Sequence, residues 1–220
     1  MDGVSIEKAG ETPEGRRDRK ARRTRDALAD AALSLVLDRG LAAVSVEDIA
    51  DRADVSRRTF SRYFPSREDA VLDCLRADFD RINAALAARP AADTPLTAYR
   101  AALRDWLRDE EQPAWHRRPG VRELIGLIVA EPALTAAYRW ICVEAEETSI
   151  RIAADRLGLD AERDLRPAVA IGLGVAALQA AARTWVRHPG ATTAAGDLPA
   201  LVEQAFEVLA AEPPPHGPAA

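Results

Sequence analysis

Apolar residues recur every three or four positions along most of this chain, which is the spacing of an amphipathic α-helix. One uninterrupted stripe consists of Leu72, Leu75, Phe79, Ile82 and Leu86. Between the two ends of the chain, no segment has the apolar and polar alternation of a half-buried β-strand. The pattern therefore predicts an all-α protein of about nine helices.

Proline, glycine and hydroxyl residues mark where these helices begin and end. Thr94-Pro95 opens a helix that runs to about Glu110, and Gly158 stops another one. The two ends, residues 1–21 and 212–220, are rich in proline, glycine and charge, and we expect them to be disordered. The remaining predicted helices after residue 110 are Val121 to Ala130, Pro132 to Leu157, Ala161 to Arg187 and Leu198 to Ala211.

Residues 45–64 have the pattern of two short helices joined by a three-residue turn. Ser45, Ser56 and Ser66 each precede a predicted helix, where a serine oxygen accepts from unpaired backbone amides. The residues predicted to face inward are Ile49, Ala50, Val55, Phe60 and Phe64. Two short capped helices around such a core predict a helix-turn-helix.

The outer side of the second helix carries arginine and hydroxyl side chains, which suit phosphates and base edges. The same residues could form an ordinary solvated helix face, but the caps, the turn and the aromatic pair favour a DNA-binding motif. We call this surface the recognition face; it consists of Arg57, Arg58, Ser61 and Arg62, with Thr59 and Tyr63 at its flanks.

With these residues, positions 22–82 resemble the N-terminal domain of the TetR family of bacterial transcriptional regulators. The match extends from a first helix ending at Gly40 to the Pro65-Ser66-Arg67-Glu68 segment. The family usually has glycine at the position of Asp54, and aspartate tolerates the left-handed backbone conformation better than most residues. It usually has tyrosine at the position of Ser61, so the departure at Ser61 changes the expected base contacts.

The resemblance implies that the recognition helix, Arg57 to Phe64, enters the major groove of an operator in double-stranded DNA. Arg57, Arg58, Ser61 and Arg62 would then lie nearest the bases. Thr59 and Tyr63 would bind phosphates. Further family positions that meet the DNA backbone correspond to Ser45, Val46 and Arg67.

A basic run precedes this domain, with seven basic residues and one acidic residue between Arg16 and Arg25. Its arginines, including Arg22 and Arg23, could follow the DNA backbone or enter a minor groove. A merely solubilising tail is the alternative. Residues 16–67 have a net charge of +5 within a chain of −5, which favours an oriented approach to DNA.

The penultimate helix contains many alanines and glycines among larger apolar residues, so it must be covered on more than one side. We expect it to pack on its own domain and on a second subunit, with Ala177 in the subunit interface. The family resemblance implies a homodimer in which the last two helices pair with their copies. Such a dimer would bind a roughly palindromic operator.

The region from about residue 90 to 211 resembles the ligand-binding half of actinobacterial TetR regulators grouped with the mycofactocin-system regulator. The segments on which this resemblance rests include Arg156-Leu-Gly-Leu-Asp160 and Ala180-Ala-Ala-Arg183-Thr-Trp185. This resemblance implies a hydrophobic, acyl-CoA-like effector. Aromatic residues that could line its cavity, unless they are ordinary core residues, are Trp106, Trp115, Tyr138 and Trp140, and the candidate polar anchors are Arg122, Gln179 and Arg183.

Other functions find less support in the chain. No catalytic cluster or metal-spaced histidine pair is present, so we expect no enzyme, cofactor or metal site. Two cysteines, an N-terminus without a signal-peptide pattern, and an apolar run of only Pro167 to Ala182 favour a cytoplasmic protein without a membrane span.

The sequence thus predicts a DNA-binding transcriptional regulator, favouring a repressor that a small hydrophobic effector releases. The alternative is a ligand-independent regulator or activator with the same DNA-binding head. The predicted organisation is a disordered basic arm at 1–21, a DNA-binding domain at 22–82, a ligand-binding and dimerisation domain at 83–211, and a tail at 212–220.

Overall fold

The computed structural model describes residues 13–188 and 196–211, in which every regular element is a helix. This confirms the all-α prediction. The ten α-helices are α1 (Pro13–Arg39), α2 (Val46–Arg52), α3 (Arg57–Tyr63), α4 (Arg67–Val71), α5 (Asp73–Ala87), α6 (Pro95–Arg108), α7 (Val121–Ala130), α8 (Pro132–Leu157), α9 (Leu165–Arg187) and α10 (Leu198–Ala210). Short 3₁₀ turns lie at Leu41–Ala43 and Trp115–Arg117.

The number of helices differs from the prediction because one expected helix is divided at Leu72. Its backbone angles are φ −93° and ψ 3°, although its amide still donates to Glu68 O at 3.1 Å. Ala70, Val71 and Leu72 are all buried, whereas a regular helix would turn three successive side chains to different sides. Tertiary packing therefore distorts the helix where the local pattern predicts continuity.

The first helix begins earlier than predicted. Residues 13–21, expected to be disordered, form the start of α1. Arginine, lysine and alanine are strong helix formers, and proline is well suited to the first position of a helix. Residues 1–12 of the expected arm and the expected tail at 212–220 lie outside the described residues.

The chain divides into two compact units between Asp73 and Cys74. The sequence places this boundary at residue 82, and the difference arises because most of α5 packs with the later helices. Ile82 and Leu86 belong to the core of the second unit, together with Leu103, Ile171 and Val202.

Helix α9 packs closely on α6 at Gly174. A Cβ atom on this glycine would lie 3.0 Å from Cε1 of the buried Tyr99 ring, and closer still to Cδ1. At Gly172, by contrast, an added Cβ would meet only Glu146 Oε1, at 3.8 Å. The absence of a side chain at Gly174 therefore permits the approach of these two helices.

Helix α9 has 23 residues and is long and apolar enough to cross a membrane by length and composition. The apolar run recognised in the sequence, Pro167 to Ala182, is shorter than this helix. Its buried residues have another role. Ile171, Leu178 and Trp185 pack into the core of the second unit. A core helix of a soluble protein has the same composition, so this helix is weak evidence for a membrane span.

Candidate nucleic-acid interface and ligand cavity

Serine caps fix the starts of the short helices in the first unit. Ser45 Oγ accepts from the Asp48 amide at 3.1 Å, and Asp48 Oδ2 accepts from the Ser45 amide at 2.8 Å. The Ser45 hydroxyl also donates to Asp48 Oδ2, and this bond together with the one from the Ser45 amide lowers the pKa of Asp48. Ser56 and Ser66 cap α3 and α4 through the amides of Thr59 and Asp69, respectively. The three predicted helix starts are confirmed.

The turn between α2 and α3 depends on a backbone conformation that is rare for residues other than glycine. Asp54 has φ 52°, as expected from its place in the motif. The amides of Asp54 and Val55 donate to Asp51 O at 3.1 Å and Ala50 O at 3.0 Å. The turn thus keeps its backbone hydrogen bonds while reversing the chain between the two helices.

The inner side of α3 is anchored by an aromatic pair. Phe60 and Phe64 are each 2% exposed, and their ring centroids are 5.7 Å apart. Ile49 and Ala50 of α2 are buried as well, as predicted. Because this side is fixed in the core, the opposite side of α3 must face outward.

The predicted recognition face lies on that outer side. Arg57, Arg58, Ser61 and Arg62 are exposed, and Thr59 and Tyr63 are half-buried at its flanks. A shallow concavity of about 420 Å³ is lined by Ser56, Arg58, Thr59, Ser61 and Arg62. The surface combines positive charge with hydroxyl groups, as phosphate and base-edge contacts require.

The three arginines of the recognition face differ in their present partners. Arg57 Nη1 lies 2.5 Å from Glu47 Oε1, whereas Arg62 stacks on Tyr63 with 5.0 Å between its Cζ atom and the ring centroid. Arg58 has no hydrogen-bond or ion-pair partner among the described residues. Arg58 can therefore bind a new ligand without breaking an ion pair, while Arg57 would have to leave Glu47.

The predicted flanking contacts also have structural roles. Arg67 Nη1 donates to Val44 O at 2.6 Å, and its Nε donates to Glu68 at 3.0 Å, so this half-buried residue already binds its own unit. Ser45 is occupied by its capping box, and Val46 is half-buried beside it. Arg22 and Arg23 are exposed on α1.

Arg25, which the sequence groups with the basic run, instead joins three parts of the first unit. Its Nη2 and Nε atoms donate to Asp73 Oδ1 at 2.5 and 3.1 Å, and Nη1 makes a long 3.5 Å contact to Tyr63 O. The guanidinium also lies 4.8 Å from the Phe64 ring centroid. No local sequence pattern pairs residues that are 48 positions apart.

The second unit contains an apolar cavity of about 280 Å³. Four of the seven predicted ligand residues line it: Trp106, Trp115, Tyr138 and Arg183. Its remaining walls include Leu75, Phe79, Ile82, Ile125 and Ile128, and Arg187 lies on α9 beside Arg183. Rings and aliphatic groups with two cationic side chains suit a hydrophobic ligand that carries a polar group.

The other three predicted ligand residues do not line this cavity. Trp140 is 62% exposed and belongs to a separate surface groove, because it lies about 200° around α8 from Tyr138. Gln179 is exposed on α9, next to the buried Leu178. Arg122 packs over Trp185, with 3.8 Å from Cζ to the ring centroid.

The sequence interpretation missed Asp78, a buried carboxylate in the cavity wall. Oδ1 accepts from Trp106 Nε1 at 3.1 Å, Arg118 Nη2 at 2.8 Å and Arg81 Nη1 at 3.1 Å, and Oδ2 accepts from the Trp115 amide at 3.0 Å. Burial raises the pKa of Asp78, while Arg118 acts in the opposite direction. The position of Asp78 within the apolar stripe of α5 is the signal that could have identified it.

The outer side of α9 presents an apolar stripe. Leu165, Val169 and Leu173 are 77%, 58% and 41% exposed, and Ala176 and Ala180 continue the same side. The prediction for Ala177 was wrong, because this residue is 4% exposed and packs in the core of its own unit. One residue corresponds to 100° of helix rotation, which turns position 177 inward and position 176 outward.

Comparison with known proteins covers both units. Residues 28–74 match the bacterial regulatory proteins, tetR family, and residues 93–214 match the MftR C-terminal domain. The chain belongs to the TetR family. It is therefore a DNA-binding transcriptional regulator, and the predicted resemblance is confirmed for both parts of the chain.

Individual TetR-family relatives agree with this assignment. The HTH-type transcriptional regulator TcmR of Streptomyces glaucescens is 36% identical over 178 residues, covering 78% of this chain and 76% of the relative. The HTH-type transcriptional repressor KstR of Mycolicibacterium smegmatis is 37% identical over 71 residues, 32% of each chain. The fold is shared with a TetR-family regulator from Mesorhizobium loti at a TM-score of 0.51 and 18% identity, over 86% of this chain and 96% of that one.

Proposed function

We propose that this TetR-family regulator is a cytoplasmic, homodimeric repressor that a hydrophobic small molecule releases from a palindromic operator. The observation that carries the DNA-binding part is the exposed recognition face of α3, held outward by the buried Phe60–Phe64 pair. Arg58, Ser61 and Arg62 would read base edges in the major groove, with Arg57 beside them after it leaves Glu47.

Contacts to the DNA backbone would surround the recognition face. Thr59 and Tyr63 lie at its flanks, and Arg22 and Arg23 are exposed on α1. Ser45 and Val46 offer the start of α2, where backbone amides favour an anion. Arg67 would contribute less as a phosphate ligand than the sequence predicts, because its guanidinium is already bound to Val44 O and Glu68.

Dimerisation would occur through α9 and α10. The exposed stripe of α9 is apolar at Leu165, Val169 and Leu173 and small at Ala176 and Ala180, so a second helix could approach it closely. Val208 and Leu209 are exposed on α10. A twofold arrangement of two recognition helices fits half-sites separated by about one helical turn of DNA or a multiple of it.

The effector would bind in the apolar cavity of the second unit. Its volume of about 280 Å³ lies just below the range of about 300–1,000 Å³ that is typical of drug-sized ligands. An acyl-CoA-like effector could place only its acyl part there. Arg183 and Arg187 would then meet the polar portion of the ligand at the cavity wall.

The decisive experiment measures binding of the purified protein to DNA flanking its own coding region, first by footprinting and then by fluorescence anisotropy. Arg58→Ala and Arg62→Ala should each weaken specific binding by roughly 1–3 kcal/mol, the usual contribution of a base contact. Arg163→Ala is the matched control, because Arg163 is an exposed arginine paired with Asp160 in the second unit. Unchanged specific binding in both recognition-face variants would contradict the assignment of α3.

The effector proposal has its own test. Titrating hydrophobic small molecules, including acyl-CoA thioesters, into the protein–operator complex should release the DNA if the protein is an effector-controlled repressor. A variant with a filled cavity, Ala182→Phe, should lose this response but keep its DNA affinity, because Ala182 lines the cavity. Release by the same ligand from this variant would place the effector elsewhere.

A further inference from the structure

The contacts of Arg25 suggest a role that neither its place in the basic run nor the family match assigns. Arg25 lies before the matched residues 28–74. Its guanidinium forms a two-pronged ion pair with Asp73 and approaches the carbonyl of Tyr63, the last residue of α3. One side chain from α1 therefore contacts the end of the recognition helix and the first residue of α5.

The chemistry of this contact suits a fixed connection. Asp73 is 8% exposed, so its carboxylate depends on Arg25 for much of its hydrogen bonding and charge compensation. The planar guanidinium can bind a carboxylate through two parallel N–H groups, which restricts its orientation as well as its distance. The Phe64 ring, 4.8 Å from Arg25 Cζ, restricts the guanidinium from another side.

The recognition helix needs such an external restraint. Helix α3 has only seven residues, fewer than the roughly 12–15 that an isolated helix needs to persist in water. Its last carbonyl groups have no partner within the helix, and a cation near them complements the helix dipole. Arg25 supplies that cation at the Tyr63 carbonyl.

We propose that Arg25 is a positioning residue for DNA recognition, acting with Asp73 as a clamp that fixes the C-terminal end of α3. This inference rests on the proposed contact of the recognition face with DNA. In the clamp, Arg25 donates hydrogen bonds to Asp73 and contacts the Tyr63 carbonyl. It thereby raises operator affinity, because it holds Arg58, Ser61 and Arg62 in position to meet the bases.

The competing role is a direct phosphate contact, since the Arg25 side chain is 38% exposed and lies in a basic run. The two roles differ in their dependence on Asp73. Removing the Asp73 charge breaks the clamp but would leave a phosphate contact intact or strengthen it. They also differ in salt dependence, because each lost phosphate contact lowers the slope of log affinity against log salt by about 0.9.

The test compares Arg25→Gln, Asp73→Asn, the double variant and Arg25→Lys in the full chain. Specific affinity for the operator, affinity for unrelated DNA and the salt slope are measured by fluorescence anisotropy, and helix content and Tm are measured by circular dichroism. Arg23→Gln serves as the control for a simple phosphate contact, because Arg23 is an exposed arginine two positions away on α1.

The clamp predicts that Arg25→Gln and Asp73→Asn each lower specific affinity about tenfold or more, comparable to losing one base contact. The double variant should lose no more than either single one, because both break the same interaction. Arg25→Lys should lose specific affinity despite its retained charge, since lysine lacks the planar fork. Affinity for unrelated DNA and the salt slope should stay unchanged in these variants and fall only in Arg23→Gln.

Two results would overturn the proposal. In the first, Arg25→Gln weakens binding to all DNA with a lower salt slope while Asp73→Asn binds normally. In the second, specific affinity is unchanged in folded Arg25→Gln and Asp73→Asn proteins. If Arg25→Gln fails to fold, Arg25→Lys and Asp73→Asn decide by the same criteria. A wild-type protein without operator binding would instead refute the proposed function.

Discussion

Two glycines on α9 should respond to the same substitution in opposite directions. Gly172 and Gly174 lie two residues apart in one helix, but only Gly174 lies against the Tyr99 ring. Replacing either glycine by alanine adds one methyl group and reduces the backbone freedom of the unfolded chain. The two variants therefore share the helix-propensity effect and differ in the space that the methyl group enters.

The expected magnitudes follow from this geometry. Alanine is favoured over glycine within a helix by about 1 kcal/mol, so Gly172→Ala should stabilise the protein by up to that amount. At Gly174 the added Cβ would lie 3.0 Å from Tyr99 Cε1, and an overpacked core typically costs about 1–3 kcal/mol. Gly174→Ala should therefore be destabilising by up to about 2 kcal/mol after the propensity gain is subtracted.

Thermal unfolding followed by circular dichroism provides the measurement. A difference of 1 kcal/mol corresponds to about 2–4 °C in Tm for a chain of this size, so the two variants should separate by several degrees. Tyr99→Leu is a useful second background, because the smaller side chain should relieve the clash in Gly174→Ala. Equal Tm changes in Gly172→Ala and Gly174→Ala would refute the close approach of α9 to Tyr99.

Three further outcomes are expected. Val169→Asp should convert the proposed dimer to a folded monomer in sedimentation experiments, because Val169 is 58% exposed on the α9 stripe; Ala177→Asp should instead lower Tm, since Ala177 is in the core. Hydrogen bonds and charge from Arg104, with a further contribution from Arg100, lower the pKa of Glu203 to about 2, so this interaction stabilises the fold above pH 4.5 and is lost as the pH falls towards 2. Glu203→Gln should reduce that acid-dependent fall in Tm, and an identical fall in both proteins would exclude the contribution. Removing residues 1–22 should weaken binding to all DNA sequences and lower the salt slope, whereas an unchanged slope would favour a merely solubilising tail.

Features set by neighbours a few residues apart could be predicted from the sequence. The serine caps of α2, α3 and α4 act within three residues, and the left-handed Asp54 follows from its place in a short turn. The inward Phe60–Phe64 pair is separated by one helical turn. Together these local signals predicted the motif and the exposure of its recognition face.

Features that depend on distant parts of the chain could not be predicted in this way. Arg25 and Asp73 are 48 residues apart, and nothing near either one indicates the other. The composition of α9 predicts that the helix is covered on two sides, but it does not distinguish the inward Ala177 from the outward Ala176. Trp140 has an aromatic side chain of the kind that often lines a cavity, yet the packing of α8 turns it to the surface.

The shortness of the helices in the first unit has a consequence for how operator binding can be lost. Helices α2, α3 and α4 contain seven, seven and five residues, each below the length at which a helix persists alone. A synthetic peptide of residues 45–64 would carry the recognition-face side chains and still lack a stable surface to present them. Proteolytic cleavage or a destabilising core substitution within residues 13–73 should therefore abolish promoter binding in one cooperative step. The individual DNA contacts should be lost together and not one after another.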